Sequence, residues 1–88
     1  MDADPPKIVF PCSYPIKVLG RSGEHFQASV MTIFSRRAPG FEAKDVVIKD
    51  SRRGTFQSIT VTIEAQSEDQ LRQIHQDLME TGLVSMVM

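Results

Sequence analysis

Hydrophobic residues recur along the chain with two different spacings, and these spacings predict its strands and helices. Every second residue is apolar in a first strand over residues 14–20 and in a third strand, where Ile59, Val61 and Ile63 alternate with polar residues. Apolar residues three or four positions apart predict two helices. Their apolar faces consist of Phe26, Val30, Ile33 and Phe34 in the first helix and of Leu71, Ile74 and Leu78 in the second.

Residues that favour helix ends stand on both sides of each helical segment. Ser22 is expected to cap the first helix, and Pro39 in the segment 38–40 is expected to end it. Ser67 and Gln70 have the spacing of a capping box at the start of the second helix. Gly82 can end that helix in a left-handed conformation.

The remaining segments predict two further strands and an extended leader. A second strand is expected over residues 43–50, followed by a turn over residues 51–54 that leads into the third strand. A final apolar strand is expected over residues 83–88. Residues 1–12 contain three prolines, which restrict the backbone and remove donors, so they are expected to form a leader. Residues 13–88 then make up a single domain.

The predicted order is strand, helix, strand, strand, helix, strand. This order favours an α+β fold of the ferredoxin-like type, a two-layer sandwich in which both helices cover one face of a four-stranded antiparallel sheet. Right-handed crossovers place the first and third strands at the centre. The uncovered face is then expected to carry Lys17, Leu19, Phe56, Ser58, Thr60 and Thr62.

Composition fits one small globular domain and excludes several classes of protein. The 88 residues are 41% hydrophobic and 24% charged, with a formal charge of −1, so the chain as a whole has no attraction for nucleic acid or anionic lipid. No apolar run is long enough to span a bilayer, and no signal peptide is recognisable. One cysteine cannot form an internal disulfide. A cytoplasmic protein without a membrane partner is therefore expected.

The residues that could perform catalysis lack the neighbours that catalysis needs. Cys12 has no base beside it in sequence, and we expect an ordinary, partly buried thiol. His25 is expected to be exposed and His75 to be partly buried in packing, since neither has metal-ligand spacing. No catalytic residue, metal or cofactor is therefore predicted. A small enzyme remains an alternative, and it would need Cys12 or His25 in a cleft.

The predicted order of elements also fits an RNA-recognition domain. Residues 53–56, Arg-Gly-Thr-Phe, begin like the aromatic RNA-binding motif of its third strand. Such domains stack bases on two or three rings, whereas Phe56 is the only ring expected on the uncovered face. The sequence therefore disfavours nucleic-acid binding.

Three arginines are expected to meet at one end of the sheet. The predicted fold places the loop 20–23 and the turn 51–54 at the same end, near the start of the first helix, where anions are favoured. The candidate contact residues are Arg21, Arg52, Arg53, Gly20 and Gly23. They predict a site for a small anion or an acidic partner, and the alternative is an ordinary solvated turn.

Several segments resemble the YbeD-like family of small bacterial proteins of unknown function. They are residues 10–20, 38–40, 51–61 and 84–88, so the resemblance extends over nearly the whole chain. It implies an ACT-like, ferredoxin-type fold and a cytoplasmic bacterial protein. Some relatives are encoded near lipoate-attachment enzymes, which suggests a link to that metabolism. The family provides no catalytic residues to carry over.

The hypothesis that follows is a non-enzymatic, ACT-like regulatory or interaction domain. It is expected to act through a protein partner or a small acidic ligand. Self-association through a sheet edge or through the uncovered face is a further expectation. The alternatives are a small enzyme, or an accessory catalytic subunit, linked to lipoate metabolism.

Overall fold

A computed structural model describes residues 9–88 and confirms the predicted ferredoxin-like order of elements. The elements are β1 (Cys12–Arg21), α1 (Glu24–Arg37), a single 3-10 turn (Ala43–Asp45), β2 (Val46–Asp50), β3 (Phe56–Ala65), α2 (Glu68–Glu80) and β4 (Val84–Val87). The strands lie in the order β2-β3-β1-β4, and all neighbours are antiparallel. The central positions of β1 and β3 are therefore confirmed. Residues 1–8 of the predicted leader lie outside the described residues.

The core lies between the two helices and one face of the sheet. On β1 and β3, Ile16 lies opposite Val61 and Val18 opposite Ile59, and all four side chains are buried. Ala38, Ile63, Ala65 and Val84 also belong to the core. The helices contribute most of their predicted faces, with Leu71 half-buried. The buried helical residues are Phe26, Val30, Ile33 and Phe34 of α1 and Ile74 and Leu78 of α2. Neither helix is long and apolar enough to cross a membrane.

Strand β1 begins at Cys12, two residues before the predicted start and inside the predicted leader. The prediction that prolines keep residues 1–12 out of the sheet is wrong at Cys12, which pairs with Ala65 of β3. Pro15 lies within the strand, as the predicted strand over residues 14–20 has it. The Lys17 N–H donates to the Met88 carbonyl at 3.0 Å, and the Lys17 carbonyl accepts from the Met88 N–H at 2.8 Å. The backbone groups of every second residue of β1, including Pro15, therefore point toward β4. The recorded β4 pairing does not reach Pro15. The missing N–H of this proline therefore removes no ladder bond.

Strands β2 and β4 are both shorter than predicted. Residues Ala43–Asp45 form a 3-10 turn because the Asp45 carboxylate accepts from the Glu42 N–H at 2.9 Å, and β2 begins only at Val46. Before β4, the Leu83 N–H donates to the Thr81 hydroxyl at 3.0 Å, which keeps Leu83 in the connecting loop. Local side-chain hydrogen bonds therefore set both boundaries.

One of the two predicted helix caps is wrong. The N-cap of α1 is Gly23, and the buried hydroxyl of Ser22 makes no hydrogen bond within residues 9–88. The cap of α2 is confirmed, since the Ser67 hydroxyl accepts from the Gln70 N–H at 3.1 Å. The Gln70 side chain accepts from the Gln66 N–H and donates to the Arg37 carbonyl, so it joins the two helices instead of completing a capping box.

A carboxylate on α2 holds the last turn of α1. The Asp77 carboxylate accepts from Arg37 Nε at 2.6 Å and from Arg36 at 3.3 Å. The hydrogen bond from Arg37 is the main cause that holds the pKa of Asp77 below its ordinary value, against a smaller opposing effect of burial. The same bond raises the pKa of Arg37. These contacts join residues about forty positions apart.

We expect Asp77→Asn to lower the melting temperature by a few degrees at neutral pH. Because folding lowers the pKa of Asp77, its stabilising contribution is complete above an ordinary carboxyl pKa of about 4 and is lost as the pH falls through the lowered value. Thermal unfolding followed by circular dichroism at pH 7 and in acid measures this difference. Asp69→Asn is the matched control, because Asp69 is 76% exposed and contacts only Arg72 of its own helix in the recorded ion pairs. Equal losses for the two variants would contradict this account of Asp77.

Candidate functional site

The face of the sheet opposite the helices carries all six residues predicted for it. Strand register arranges its side chains in rows. One row is Lys49, Ser58, Leu19 and Met86, the next is Val47, Thr60, Lys17 and Met88, and a shorter row is Phe56 and Arg21. The sixth predicted residue, Thr62, lies on the same side in the next row, opposite Pro15. We call the ten residues of the first three rows the open face. Neighbouring strands lie about 4.8 Å apart and successive rows about 7 Å apart. The basic side chains of the open face therefore lie beside its apolar side chains, close enough for both to contact one partner.

The charged residues of the open face are basic. Lys17, Arg21 and Lys49 are exposed there, and none of them forms an ion pair in the recorded contacts of residues 9–88. The acidic strand residue that points to the same side is Glu64, which lies at the other end of β3. Asp50 points to the helix side and accepts from Gln57. The side of the sheet that faces away from the helices therefore has a positive potential near the β2–β3 turn.

The structure brings the predicted arginine-bearing segments to one end of the sheet. The Ser22 N–H donates to the Thr55 carbonyl at 3.0 Å, which joins the loop after β1 to the β2–β3 turn. Arg52 and Arg53 are exposed in that turn, where Gly54 adopts a φ of 71°. Together with Lys17, Arg21 and Lys49, the two turn arginines form what we call the basic patch.

The two glycines of the predicted site differ in exposure and in structural role. Gly23 is exposed and is the N-cap of α1. Gly20 is buried, and a Cβ at this position would lie 2.5 Å from both the Leu83 carbonyl and the Phe26 ring. Gly20 therefore lets α1 and the β4 loop pack closely on β1, and it offers no surface to a ligand.

Sequence analysis missed a buried polar residue beneath this end of the sheet. Gln57 is 7% exposed, and its amide group donates to Asp50 at 2.8 Å and accepts from Gln27 of α1 at 2.9 Å. This network ties the start of α1 to β2 and β3. A signal was present, because Gln57 occupies an inward position in the otherwise apolar alternation of β3, where a polar side chain needs buried partners.

Two cavities lie at opposite ends of the sheet. One of about 260 Å³ is bordered by Arg21, Phe56 and residues 82–85, next to the irregular pairing between β1 and β4. The other, of about 500 Å³, is lined by Asp45 and Glu64 among others and by no basic residue of the described part of the chain. The larger of these two cavities is therefore separate from the basic patch, and of the two the smaller one suits an anionic group better.

The candidate catalytic residues are not brought together. Cys12 opens β1 and is half-buried, as predicted, whereas the exposed His25 opens α1, which follows the other end of that strand. The predicted partial burial of His75 is wrong, since it lies on the solvent side of the α2 apolar face. Among residues 9–88, no three His, Cys, Asp or Glu side chains are placed to hold a metal ion.

Comparison with known proteins identifies the family. Residues 5–88 match a family model described as "Protein of unknown function (DUF493)". The chain belongs to the DUF493 family. A UPF0250 protein of Ectopseudomonas mendocina is 50% identical to this DUF493 chain over 88 residues, covering 99% of the chain and 96% of the relative. A UPF0250 protein of Nitrosomonas europaea is 37% identical and covers 92% and 93%. The YbeD-like membership is confirmed.

A solved structure supports the fold of the DUF493 chain. The solution structure of protein HP0495 from H. pylori superimposes with a TM-score of 0.81 and covers 99% of this chain and 91% of its own. The two sequences are 19% identical, so this likeness concerns the fold alone. It confirms the ferredoxin-like architecture on which the positions of the open face and basic patch depend.

Proposed function

We propose that this DUF493 protein is a non-catalytic binding domain that recognises an acidic segment of a protein partner through its basic patch. One observation supports the proposal above the others: charge is separated between the two layers. The five basic residues lie on the open face and its adjoining turn, whereas α1 and α2 together carry five acidic residues against three arginines, Arg36, Arg37 and Arg72. The formal net charge of −1 hides this separation. Potentials of this kind steer and orient a partner of opposite charge.

The apolar residues of the open face favour a peptide over a free anion. Phe56 and Met86 are 46% and 53% exposed, and Leu19 lies in the row between Ser58 and Met86. A segment in which acidic and apolar residues alternate would pair its carboxylates with the basic patch and cover these side chains. Burial of apolar area stabilises such a complex by about 25 cal/mol per Å² before the costs of association. A free phosphate covers no apolar side chain, so its binding gains none of this stabilisation.

The same features favour a protein segment over single-stranded RNA. Phe56 is the ring that the open face provides, because Tyr14 of β1 points to the helix side. Base stacking normally uses two or three rings on this face. The DUF493 domain then acts as a regulatory or interaction module, since occupying a partner's acidic segment requires binding and no chemistry.

We expect a short fluorescent peptide of alternating glutamate and leucine to bind saturably at low salt. Arg53→Gln and Lys17→Gln should each weaken binding about three- to tenfold, because each removes one positive charge from the patch. Fluorescence anisotropy measures the dissociation constants. Arg72→Gln is the matched control, since Arg72 is exposed on α2, away from the patch, and should change affinity less than about twofold.

Two results would contradict the proposed function. Equal losses for Arg53→Gln and Arg72→Gln would mean that the peptide responds only to total charge. Saturable binding of oligouridylate without binding of the acidic peptide would indicate a nucleic-acid site instead.

A further inference from the structure

A small cavity lies where the end of β1 meets the start of β4. It has a volume of about 260 Å³ and is lined by Arg21, Phe56 and residues 82–85. Sites that hold a whole small-molecule ligand usually have volumes of about 300–1,000 Å³. This cavity lies below that range, so its size suits one residue of a larger ligand.

The pairing between β1 and β4 is interrupted beside this cavity. Leu19 lies opposite Met86, whereas the next residue, Gly20, lies opposite Val84. In this register, Ser85 therefore has no partner on β1. An extra residue of this kind often lies next to a binding site, where it redirects a side chain. Ser85 is exposed and lines the cavity, so its hydroxyl can donate to a ligand.

The lining combines one positive charge with apolar side chains. Arg21 is the only charged residue among those that line the cavity within residues 9–88. Phe56, Leu83 and Val84 supply the apolar part. A guanidinium group presents its donors in a planar fork that matches the two oxygens of a carboxylate. This combination suits a carboxylate that is attached to an apolar group.

The last residue of a peptide carries both of these groups on one carbon atom. Its side chain and its free carboxylate can therefore enter one small cavity together. Within an extended peptide, neighbouring side chains point to opposite faces, and side chains on the same face start about 7 Å apart. An internal glutamate and an internal leucine would thus need separate sites. A cavity of about 260 Å³ fits the chain end better.

A free amino acid carries the same two groups but suits this lining less well. Its ammonium group needs an acidic partner when it leaves water. No acidic side chain lines the cavity within the described part of the chain. The last residue of a peptide has a neutral amide at that position. The lining therefore favours a chain end over a free amino acid.

We propose that this cavity binds the C-terminal residue of the partner's acidic segment. The carboxylate of that residue accepts from Arg21 and from the Ser85 hydroxyl, and its apolar side chain packs against Phe56 and Leu83. This inference rests on the proposed function, because Arg21 also belongs to the basic patch that binds the rest of the segment. It adds that the recognised segment is the end of its chain and that its last residue is apolar.

Three peptides of alternating glutamate and leucine, each with an N-terminal fluorophore and a C-terminal leucine, test this preference. The first has a free C-terminal carboxylate, the second is amidated, and the third is amidated but has one added glutamate next to the fluorophore. The first and third therefore have equal formal charge. The first should bind about five- to tenfold more tightly than either amidated peptide, as measured by fluorescence anisotropy at low salt.

The possible results separate this inference from the proposed function. Equal dissociation constants for the first and third peptides would overturn the inference and leave the proposed function in place. Failure of all three peptides to bind saturably would overturn both.

Substitution of Arg21 tests the contact itself. Arg21→Gln should reduce the preference for the free carboxylate to less than about twofold, whereas Arg53→Gln should weaken binding of all three peptides alike and keep the preference. Arg21 and Arg53 are both exposed, and circular dichroism verifies that the variants fold. A preference that survives Arg21→Gln would overturn the proposal.

The apolar part of the cavity is tested by changing the last residue of the peptide. A free-carboxylate peptide that ends in glycine should bind about three- to tenfold more weakly than the one that ends in leucine, because it leaves Phe56 and Leu83 uncovered. Equal affinities would contradict an apolar subsite. Displacement of the leucine-ending peptide by millimolar free leucine would indicate a site for an amino acid and would also overturn the proposal.

Discussion

Gly20→Ala should destabilise the fold by about 2–3 kcal/mol, although it adds one methyl group. The new Cβ would lie 2.5 Å from the Leu83 carbonyl oxygen and 2.5 and 2.9 Å from two atoms of the Phe26 ring. Real Cβ atoms do not approach other heavy atoms so closely, so α1 or the β4 loop must move away from β1. A domain of this size has about 5–15 kcal/mol of stability in total, so the expected loss is a large part of it.

Urea unfolding of Gly20→Ala measures this loss, and a second substitution identifies its cause. Phe26→Leu makes room on one side of the new methyl group but leaves a gap when made alone. The double variant should therefore be more stable than the sum of the two single losses. An unchanged midpoint for Gly20→Ala would contradict the close packing of α1 on β1. Simple additivity would contradict the role given to Phe26.

Phe34→Ala should cause a still larger loss, about 3–5 kcal/mol, which corresponds to a fall of about 15–30 °C in melting temperature. The side chain of Phe34 is fully buried near the end of α1. It also meets Phe41 edge to face, with ring centroids 6.4 Å apart and planes at 80°. Truncation therefore leaves a cavity in the core and frees the segment that follows α1.

The matched control for Phe34→Ala is Phe56→Ala, which truncates the same type of residue on the open face. Phe56 is 46% exposed, so its loss should change the melting temperature by only a few degrees. Differential scanning calorimetry compares the two variants. Similar losses would mean that Phe56 is part of the stabilising core and that the open face is not free for binding.

Much of the fold could be predicted because its main elements are strongly periodic. The apolar residues of α1 recur at helical spacing, and Phe26, Val30 and Phe34 are all buried as expected. The strict alternation of β3 likewise fixed which of its residues face the helices. These patterns report burial directly, since one face of each element must be apolar to form the core.

The elements that could not be predicted depend on contacts that sequence spacing does not show. Strand β1 starts two residues early because its first two residues pair with Ala65 and Glu64 of β3, and only the register reveals this. Asp77 contacts Arg37 across the two helices, about forty residues away. The 3-10 turn before β2 depends on two short-range hydrogen bonds in a segment too short for periodicity.

The candidate site was predictable in position and less so in extent. The meeting of the loop 20–23 with the turn 51–54 follows from topology, and the 3.0 Å bond from Ser22 to Thr55 places them together. Gly20 was assigned to the surface because sequence cannot show that the Phe26 ring covers it. Lys17 and Lys49 join the patch only once the register sets them in neighbouring rows.

Titration of the ¹⁵N-labelled protein with the glutamate–leucine peptide tests the central claim most directly. Amide shifts should be largest and saturable in the second half of β1, in β2, in the first half of β3 and in residues 51–54, with α2 unchanged. These segments carry the basic patch and the exposed apolar residues. Shifts that spread over α2, or that never saturate, would contradict the assignment of binding to the open face.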